Sequence, residues 1–350
     1  MYLAITGSFI LEKVLLISGI IGLSLGVAMY LTWAERKVAA IMQDRVGPNR
    51  AGPFGLFQPL ADGLKLFMKE EIIPTFSNKF LFILGPSLAM LTALMTSAIV
   101  PWGPSFESFE LQVADVNIGM LFIFGVLSVG VYGVMLGAWA SNNKYSLLSG
   151  IRAAAQAVSY ELALGLSLIA LIMLSGTMSI KEMVAQQHGF WADGYFTWNV
   201  FKQPLGFLIF LVCSFAELNR APFDMAESES ELIGGYHTEY SSMKLGFFLF
   251  AEYINLFITC IVISCLYFGG YNFPGMDWVA AQVHPLLFSV IGVLVVIAKA
   301  ILFVLFFMAI RWTLPRFRYD QLMNLGWKKL IPLALINMII TGALILIFKS

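Results

Sequence analysis

Leu286 to Ile310 reads LLFSVIGVLVVIAKAILFVLFFMAI, 25 residues carrying a single charge, Lys299. A bilayer core about 30 Å thick takes roughly 20 apolar residues as a helix, so this run is long enough to cross it. Only helices and closed barrels satisfy the backbone in lipid, and the run is of helix length. Outward from it, the same pattern recurs at Phe9 to Trp33, Phe80 to Val100, Val116 to Ala140, Ala153 to Leu174, Trp198 to Ala216, Leu245 to Phe268 and Leu330 to Phe348. The expected fold is an all-α integral membrane protein with eight transmembrane helices, one membrane domain over residues 1–350. The fifth span is the weakest, because its clean apolar part begins only after Pro204.

Composition agrees with that reading. Hydrophobic residues make up 59% and charged residues 12%, and mean hydropathy is +0.83, far from the values of soluble domains. A formal net charge of zero offers no basic surface to neutralise phosphates and argues against nucleic acid as a partner. Cys213, Cys260 and Cys265 lie in apolar runs without a Cys-x-x-Cys pair, and His188, His237 and His284 are scattered. A haem or zinc site is not expected within this chain alone, so electrons for any redox chemistry would come from elsewhere.

Charge asymmetry orients the spans. With eight of them, the loop after the first (Arg36, Lys37, Arg45, Arg50, Lys65, Lys69, Lys79) and the loop after the seventh (Arg311, Arg316, Arg318, Lys328, Lys329) face one side. The positive-inside rule makes that side cytoplasmic and puts both termini outside. The expected cytoplasmic segments are 34–79, an acidic loop at 217–244 and a basic loop at 311–329. Within the first, Gly47-Pro48-Asn49 and Gly52-Pro53 break the helix. A short amphipathic helix should follow, with Pro59 in its first turn, Leu60, Ala61, Leu64, Phe67 and Met68 on one face, and Asp62, Lys65 and Lys69 on another. It is too short and too charged to span, and belongs at the membrane surface.

The stretch from Glu217 to Tyr253 concentrates acid. It holds Glu217, Asp224, Glu227, Glu229, Glu231, Glu239 and Glu252 against Arg220 and Lys244. As a helix it would bring Asp224, Glu227 and Glu231 to one face; as extended chain, Glu227, Glu229 and Glu231. Either arrangement makes a row of coupled proton-binding groups, and a merely solvated acidic face is the competing reading. Glu161, Glu252 and Lys299 fall well inside apolar runs, where charge costs at least about 2.5 kcal/mol, so each needs protein or water beside it. Glu161 and Glu252 extend the acidic row. Lys299 reads equally as a functional group or as a counter-ion locking helices.

Ala34-Glu35-Arg36-Lys37, Gly47-Pro48-Asn49, Gln58-Pro59-Leu60-Ala61-Asp62-Gly63-Leu64-Lys65, Val158-Ser159-Tyr160-Glu161, the stretch from Glu217 to Tyr240, and Leu314 to Met323 together resemble the H-subunit family of NADH-quinone oxidoreductase, respiratory complex I. The resemblance runs in order along nearly the whole chain, and only 175–203 lacks signature residues. It implies an eight-helix membrane subunit, without a cofactor of its own, in a bacterial inner membrane. With peripheral partners bearing FMN and iron-sulfur clusters it would enclose a chamber for quinone, ubiquinone or menaquinone, and it would sit beside small and antiporter-like membrane subunits. By motif, Glu35, Arg36, Gln43, Arg45, Asp62, Lys65, Arg220, Phe223 and Asp224 would belong to the quinone tunnel and chamber. Glu161, Glu217, Glu227, Glu229, Glu231 and, by its place in the sixth span, Glu252 would link quinone reduction to proton pumping. The alternatives are the corresponding subunit of a membrane-bound hydrogenase and, in another class, a stand-alone proton-coupled transporter, for which an internal repeat is the expected and missing sign.

Overall fold

The computed structural model describes residues 7–105, 110–188, 191–192 and 195–349, with side chains undescribed at 7–9, 191–192, 195–196, 229–230 and 348–349. In chain order the helices are α1 (Gly7–Met42), α2 (Gln58–Met68), α3 (Lys79–Thr96), α4 (Gly119–Ala140), α5 (Lys144–Ser175), α6 (Ile180–Gln186), α7 (Asn199–Lys202), α8 (Pro204–Glu217), α9 (Glu229–Leu232), α10 (Ser242–Tyr267), α11 (Met276–Gln282), α12 (Pro285–Thr313), α13 (Tyr319–Leu325) and α14 (Ile331–Lys349). A π-helical turn, Gly326–Leu330, joins the last two. One two-residue hairpin, β1 (Trp191–Ala192) with β2 (Tyr195–Phe196), interrupts this all-α plan.

Among the described residues, seven helical runs are long and apolar enough to cross a membrane. They are α1, α3, α4, α5, α10, α12 and the continuous stretch from α13 through α14. The weak fifth run differs from the expected single span. It is broken at Gln203, whose φ of −136° and ψ of 63° leave the helical region, and α8 keeps only 14 residues. Pro204 is the physical reason: it has no N–H to continue the ladder of α7 and restricts the residue before it. Alone, α8 is about 21 Å long at 1.5 Å per residue.

Helix α10 is the hub. It packs against α1, α3 and α12, and 67% of its apolar window is buried within the chain, against 28% for α1 and α12. The outer helices keep Leu, Ile, Val and Phe exposed, which suits a lipid surround. Helices α3 and α4 pack most intimately, through glycines. A Cβ on Gly133 would stand 2.9 Å from the Ala89 backbone N, and one on Gly85 2.8 Å from the Gly137 Cα. Small residues let backbones approach where no hydrophobic force holds helices together in lipid.

Lys299 on α12 resolves differently from a counter-ion. Its ammonium donates to the backbone carbonyls of Phe268, Gly270 and Asn272 at 2.7, 2.7 and 2.6 Å, and it lies 4.9 Å from the Trp198 ring centroid. Carbonyls at and beyond the end of α10 take the place of a carboxylate, so the charge ties α12 to that end. Cys213, Cys260 and Cys265 are free thiols, all buried.

Candidate functional site

Two consecutive residues of α1 open the site. Neighbours on a helix point about 100° apart, so Arg36 and Glu35 serve different places. Arg36 faces a cavity of about 560 Å³ bounded by α1 (Met29, Thr32), α2 (Asp62, Lys65, Leu66) with Lys69 just after it, and α10 (Leu249, Phe250, Tyr253). Its Nη1 meets Asp62 Oδ2 at 2.7 Å, and Lys65 Nζ lies 3.9 Å from Asp62 Oδ1. Gln58 Nε2 donates to Asp62 Oδ1 at 3.2 Å. Helix α2 forms as its pattern requires, with Pro59 in the first turn. Its polar face lines the cavity, while Leu60, Leu64, Phe67 and Met68 are exposed on the far side.

Glu35 turns inward. Its carboxylate, 7% exposed, accepts from Arg220 Nη1 at 2.9 Å, from Tyr253 Oη at 2.8 Å, and from Arg311. The Arg220 guanidinium also lies over the Tyr253 ring, 4.4 Å from its centroid. Burial works against the charge of Arg220, and the carboxylate of Glu35, with Tyr253 and Glu252, more than offsets it, so the guanidinium is held above its ordinary pKa. Nε and Nη2 of Arg220 are buried without a hydrogen-bond partner among the described residues. The cluster therefore holds two cations on one carboxylate, with donors to spare.

The loop after α8 is fixed by its own polar contacts. Arg316 Nη2 pairs with Asp224 Oδ2 at 2.6 Å, Asp224 Oδ1 accepts from the Glu227 N–H at 3.3 Å, and the Phe317 N–H donates to Pro222 O at 3.1 Å. Gln156 Nε2 donates to the carbonyls of Ala216 and Phe223, both at 2.7 Å. Gly235 closes the loop at φ +70°, where a Cβ would sit 2.1 Å from Ala226 O, and delivers Tyr236 to the interior. Burial raises the Tyr236 phenol well above its ordinary pKa, and the charges of Glu252, Glu227 and Asp224 add to the effect. Three carboxylates thus act on one phenol.

Glu252, next to Tyr253 on α10, opens to a different space. With Glu217, Asn219, Tyr236, Asn255, Thr259 and Thr92 it lines a cavity of about 70 Å³, room for about two waters at ~30 Å³ each. A second pocket of about 20 Å³ shares Glu217, Asn255 and Thr259. Glu217 Oε2 and Asn255 Oδ1 are buried without a hydrogen-bond partner among the described residues, and both line this polar space. Phe124 of the second pocket also lines an apolar groove of about 610 Å³ between α4 and α5. Glu161 lies in that groove, hydrogen-bonded by Ser128.

The structure thus groups the acids selectively. Glu217 and Glu252 share one cavity, Glu161 lies in the neighbouring groove, and the charges of Asp224 and Glu227 act on Tyr236 at the cavity wall. Glu231 does not join them: it is 53% exposed and pairs with Arg152 Nη1 at 2.6 Å. Neither a single helix nor extended chain describes the loop, since Ser228 takes φ 31° and helical structure is limited to one α-turn, Glu229–Leu232, and one 3-10 turn, Gly235–His237. The Glu229 side chain lies outside the described residues. Gln43 and Arg45 pair with each other at 2.7 Å at the exposed end of α1, away from the cavity. Phe223 is packed between the rings of Tyr160 and Phe317, centroids 5.5 and 5.3 Å away, and shapes the loop from within.

Sequence reasoning missed Arg311, Tyr253, Arg316, Tyr236 and Asn255. For one of these a signal was present: Glu252, Asn255 and Thr259 recur at three and four residues, a polar stripe on one face of an otherwise apolar helix. Among the described residues, no group of three or more His, Cys, Asp or Glu is placed to hold a metal ion.

Comparison with known proteins shows the family. The family described as NADH dehydrogenase matches residues 14–342. The NADH-quinone oxidoreductase H subunit of Flavobacterium johnsoniae is 61% identical over 343 residues, covering 97% of this chain and 96% of that one. The chain belongs to the H-subunit family. An H subunit of Cytophaga hutchinsonii is 60% identical over 344 residues, 97% of this chain and 98% of its own. The H subunit of Thermomicrobium roseum, at 45% over 325 residues, still covers 91% of both chains. As a member of this family the chain is a multi-pass membrane protein.

Proposed function

We propose that this chain is the membrane subunit of a proton-translocating NADH-quinone oxidoreductase, complex I, that takes quinone from the bilayer and couples its reduction to proton movement. The observation that carries this reading is the position of Tyr253. Its ring lines the cavity between α1, α2 and α10, and its hydroxyl is bound to Glu35. A quinone filling that cavity lies against a residue in direct contact with the buried cluster, its hydroxyl on Glu35 and its ring under Arg220. The neighbouring residue on α10, Glu252, faces the water-sized cavity of the acidic row.

In this account Arg36, Asp62 and Lys65 form the polar mouth of the quinone route, and Glu35, Arg220 and Asp224 set the charge of its inner wall. Reduction of quinone draws protons and changes the local field. Arg220, which interacts with both Glu35 and Glu252, passes that change to the carboxylates around Tyr236, and the proton affinity of Glu252, Glu217 and then Glu161 shifts in turn. NADH oxidation, FMN and the iron-sulfur clusters belong to partner subunits. We assign the membrane as a bacterial inner membrane, with α7 and α8 together completing an eighth crossing and both termini outside, on the strength of the loop charges. The relatives favour neither the hydrogenase subunit nor the transporter.

Filling the cavity tests the route. A Cβ on Gly246 meets nothing nearer than Leu66 Cδ1 at 3.5 Å, so the Cβ of Gly246→Leu is accommodated and the rest of its side chain takes up cavity space. In the assembled enzyme it is expected to lower NADH:quinone turnover about tenfold or more, the effect of a small misplacement of substrate, while NADH oxidation by an artificial hydrophilic acceptor stays intact. Normal quinone turnover in this variant refutes the assignment.

A further inference from the structure

The same cavity has a mouth built for a second class of ligand. The charged residues that line it are Arg36, Lys65 and Lys69 against Asp62 alone, three cations and one carboxylate. Asp62 is engaged by Arg36 at 2.7 Å and only loosely by Lys65 at 3.9 Å. Lys69 is exposed and makes no ion pair among the described residues. The nearby Glu71 is taken by Lys244 at 2.6 Å, and Glu70 is exposed outside the cavity lining.

The depth of this mouth follows from α2. Its Leu60, Leu64, Phe67 and Met68 face is exposed, so the helix lies with those side chains in the acyl boundary and its polar face at headgroup level. Lysine stems can run along the apolar surface and present their ammonium groups there. Met29, Leu245, Leu249 and Phe250 give the cavity its apolar lining, the shaft of this account, and about 560 Å³ lies in the range that holds one small-molecule-sized ligand. A phosphate at the cationic rim with an acyl chain in the shaft satisfies both parts at once.

We propose that this cavity binds an anionic phospholipid from the adjoining leaflet, its phosphate on Lys65, Lys69 and Arg36 and one acyl chain in the shaft, and that the lipid thereby competes with quinone. The inference rests on the quinone route proposed above and adds a regulator to it. Because the shaft holds one chain, the lipid acts on the apparent KM for quinone and leaves kcat unchanged.

The test uses the assembled enzyme in nanodiscs of phosphatidylcholine alone or with one third phosphatidylglycerol, and a neutral short-chain quinone that surface charge does not concentrate. Phosphatidylglycerol is expected to raise the apparent KM several-fold at constant kcat, and Lys69→Gln to remove most of that rise. An unchanged KM in the wild type, a fall in kcat in place of a KM shift, or an equal shift in Lys69→Gln overturns the proposal. Gly246→Leu keeps the two readings apart: if it turns over quinone normally in phosphatidylcholine, the quinone route fails, and if it is impaired there while phosphatidylglycerol has no effect on the wild type, only the lipid proposal fails.

Discussion

Tyr253 and Glu252 are adjacent in the sequence, yet a turn of about 100° on α10 sends one to the wide cavity and the other to the acidic one. The hydroxyl of Tyr253 is one of three donors to a buried carboxylate, and a hydrogen bond to a charged group is worth about 1.5–3 kcal/mol. Tyr253→Phe is therefore expected to lower quinone turnover by about tenfold with little loss of assembled enzyme, measured as NADH:quinone activity per unit of FMN. Glu35→Gln, by contrast, leaves two guanidiniums without their carboxylate, a loss of about 3–5 kcal/mol when a buried pair is broken, and should deplete the assembled complex from membranes. Residue identities here were largely legible: Glu35, Arg220 and Asp224 stand in motifs. Their partners were not, because Glu35 and Arg311 lie 276 positions apart and such pairing exists only once α1, α10 and α12 are packed. The even spacing of Glu227, Glu229 and Glu231 misleads for a related reason. The backbone turns at Ser228, and Arg152 on α5 draws Glu231 outward.

At the scale of elements, apolar length predicted the membrane helices well, and at Pro204, where length and continuity diverge, it could not show that the run divides into α7 and α8. The amphipathic reading of α2 gave its two faces correctly, but no periodicity says which face meets the chain and which meets the membrane. Close helix packing is equally invisible to hydropathy. Gly133→Leu must push a side chain into the Ala89 backbone at 2.9 Å, and backbone cannot yield as a flexible side chain does. Overpacking typically costs about 1–3 kcal/mol; the expected result is a lowered thermal-inactivation temperature of the purified complex, with NADH oxidation by hydrophilic acceptors retained. The Lys299 clamp carries a second element-scale prediction. Lys299→Met keeps the length of the side chain but strands the carbonyls of Phe268, Gly270 and Asn272, each buried acceptor costing about 1–3 kcal/mol when unpaired. Protease nicking between α10 and α12 should rise, while quinone turnover changes much less than in Tyr253→Phe. Equal protease resistance would show that the clamp is dispensable.

Across the whole molecule, α10 is the wall shared by two spaces of opposite character. One is wide, apolar-walled and open at a cationic rim; the other is small, polar and lined by carboxylates. The charged cluster of Glu35, Arg220 and Arg311 lies at that wall, and Glu252 is the carboxylate on α10 itself that faces the second space. Coupling in this account is the response of Glu252 to events on the Tyr253 side, so the decisive variant is Glu252→Gln, which preserves shape and cannot exchange a proton. Proton uptake and NADH:quinone turnover should be measured together in proteoliposomes, with Glu231→Gln as the outward-facing comparison. The account predicts that Glu252→Gln loses most proton translocation and the quinone turnover coupled to it while NADH oxidation by artificial acceptors is spared, and that Glu231→Gln changes both far less; full proton pumping and quinone turnover in Glu252→Gln would contradict it.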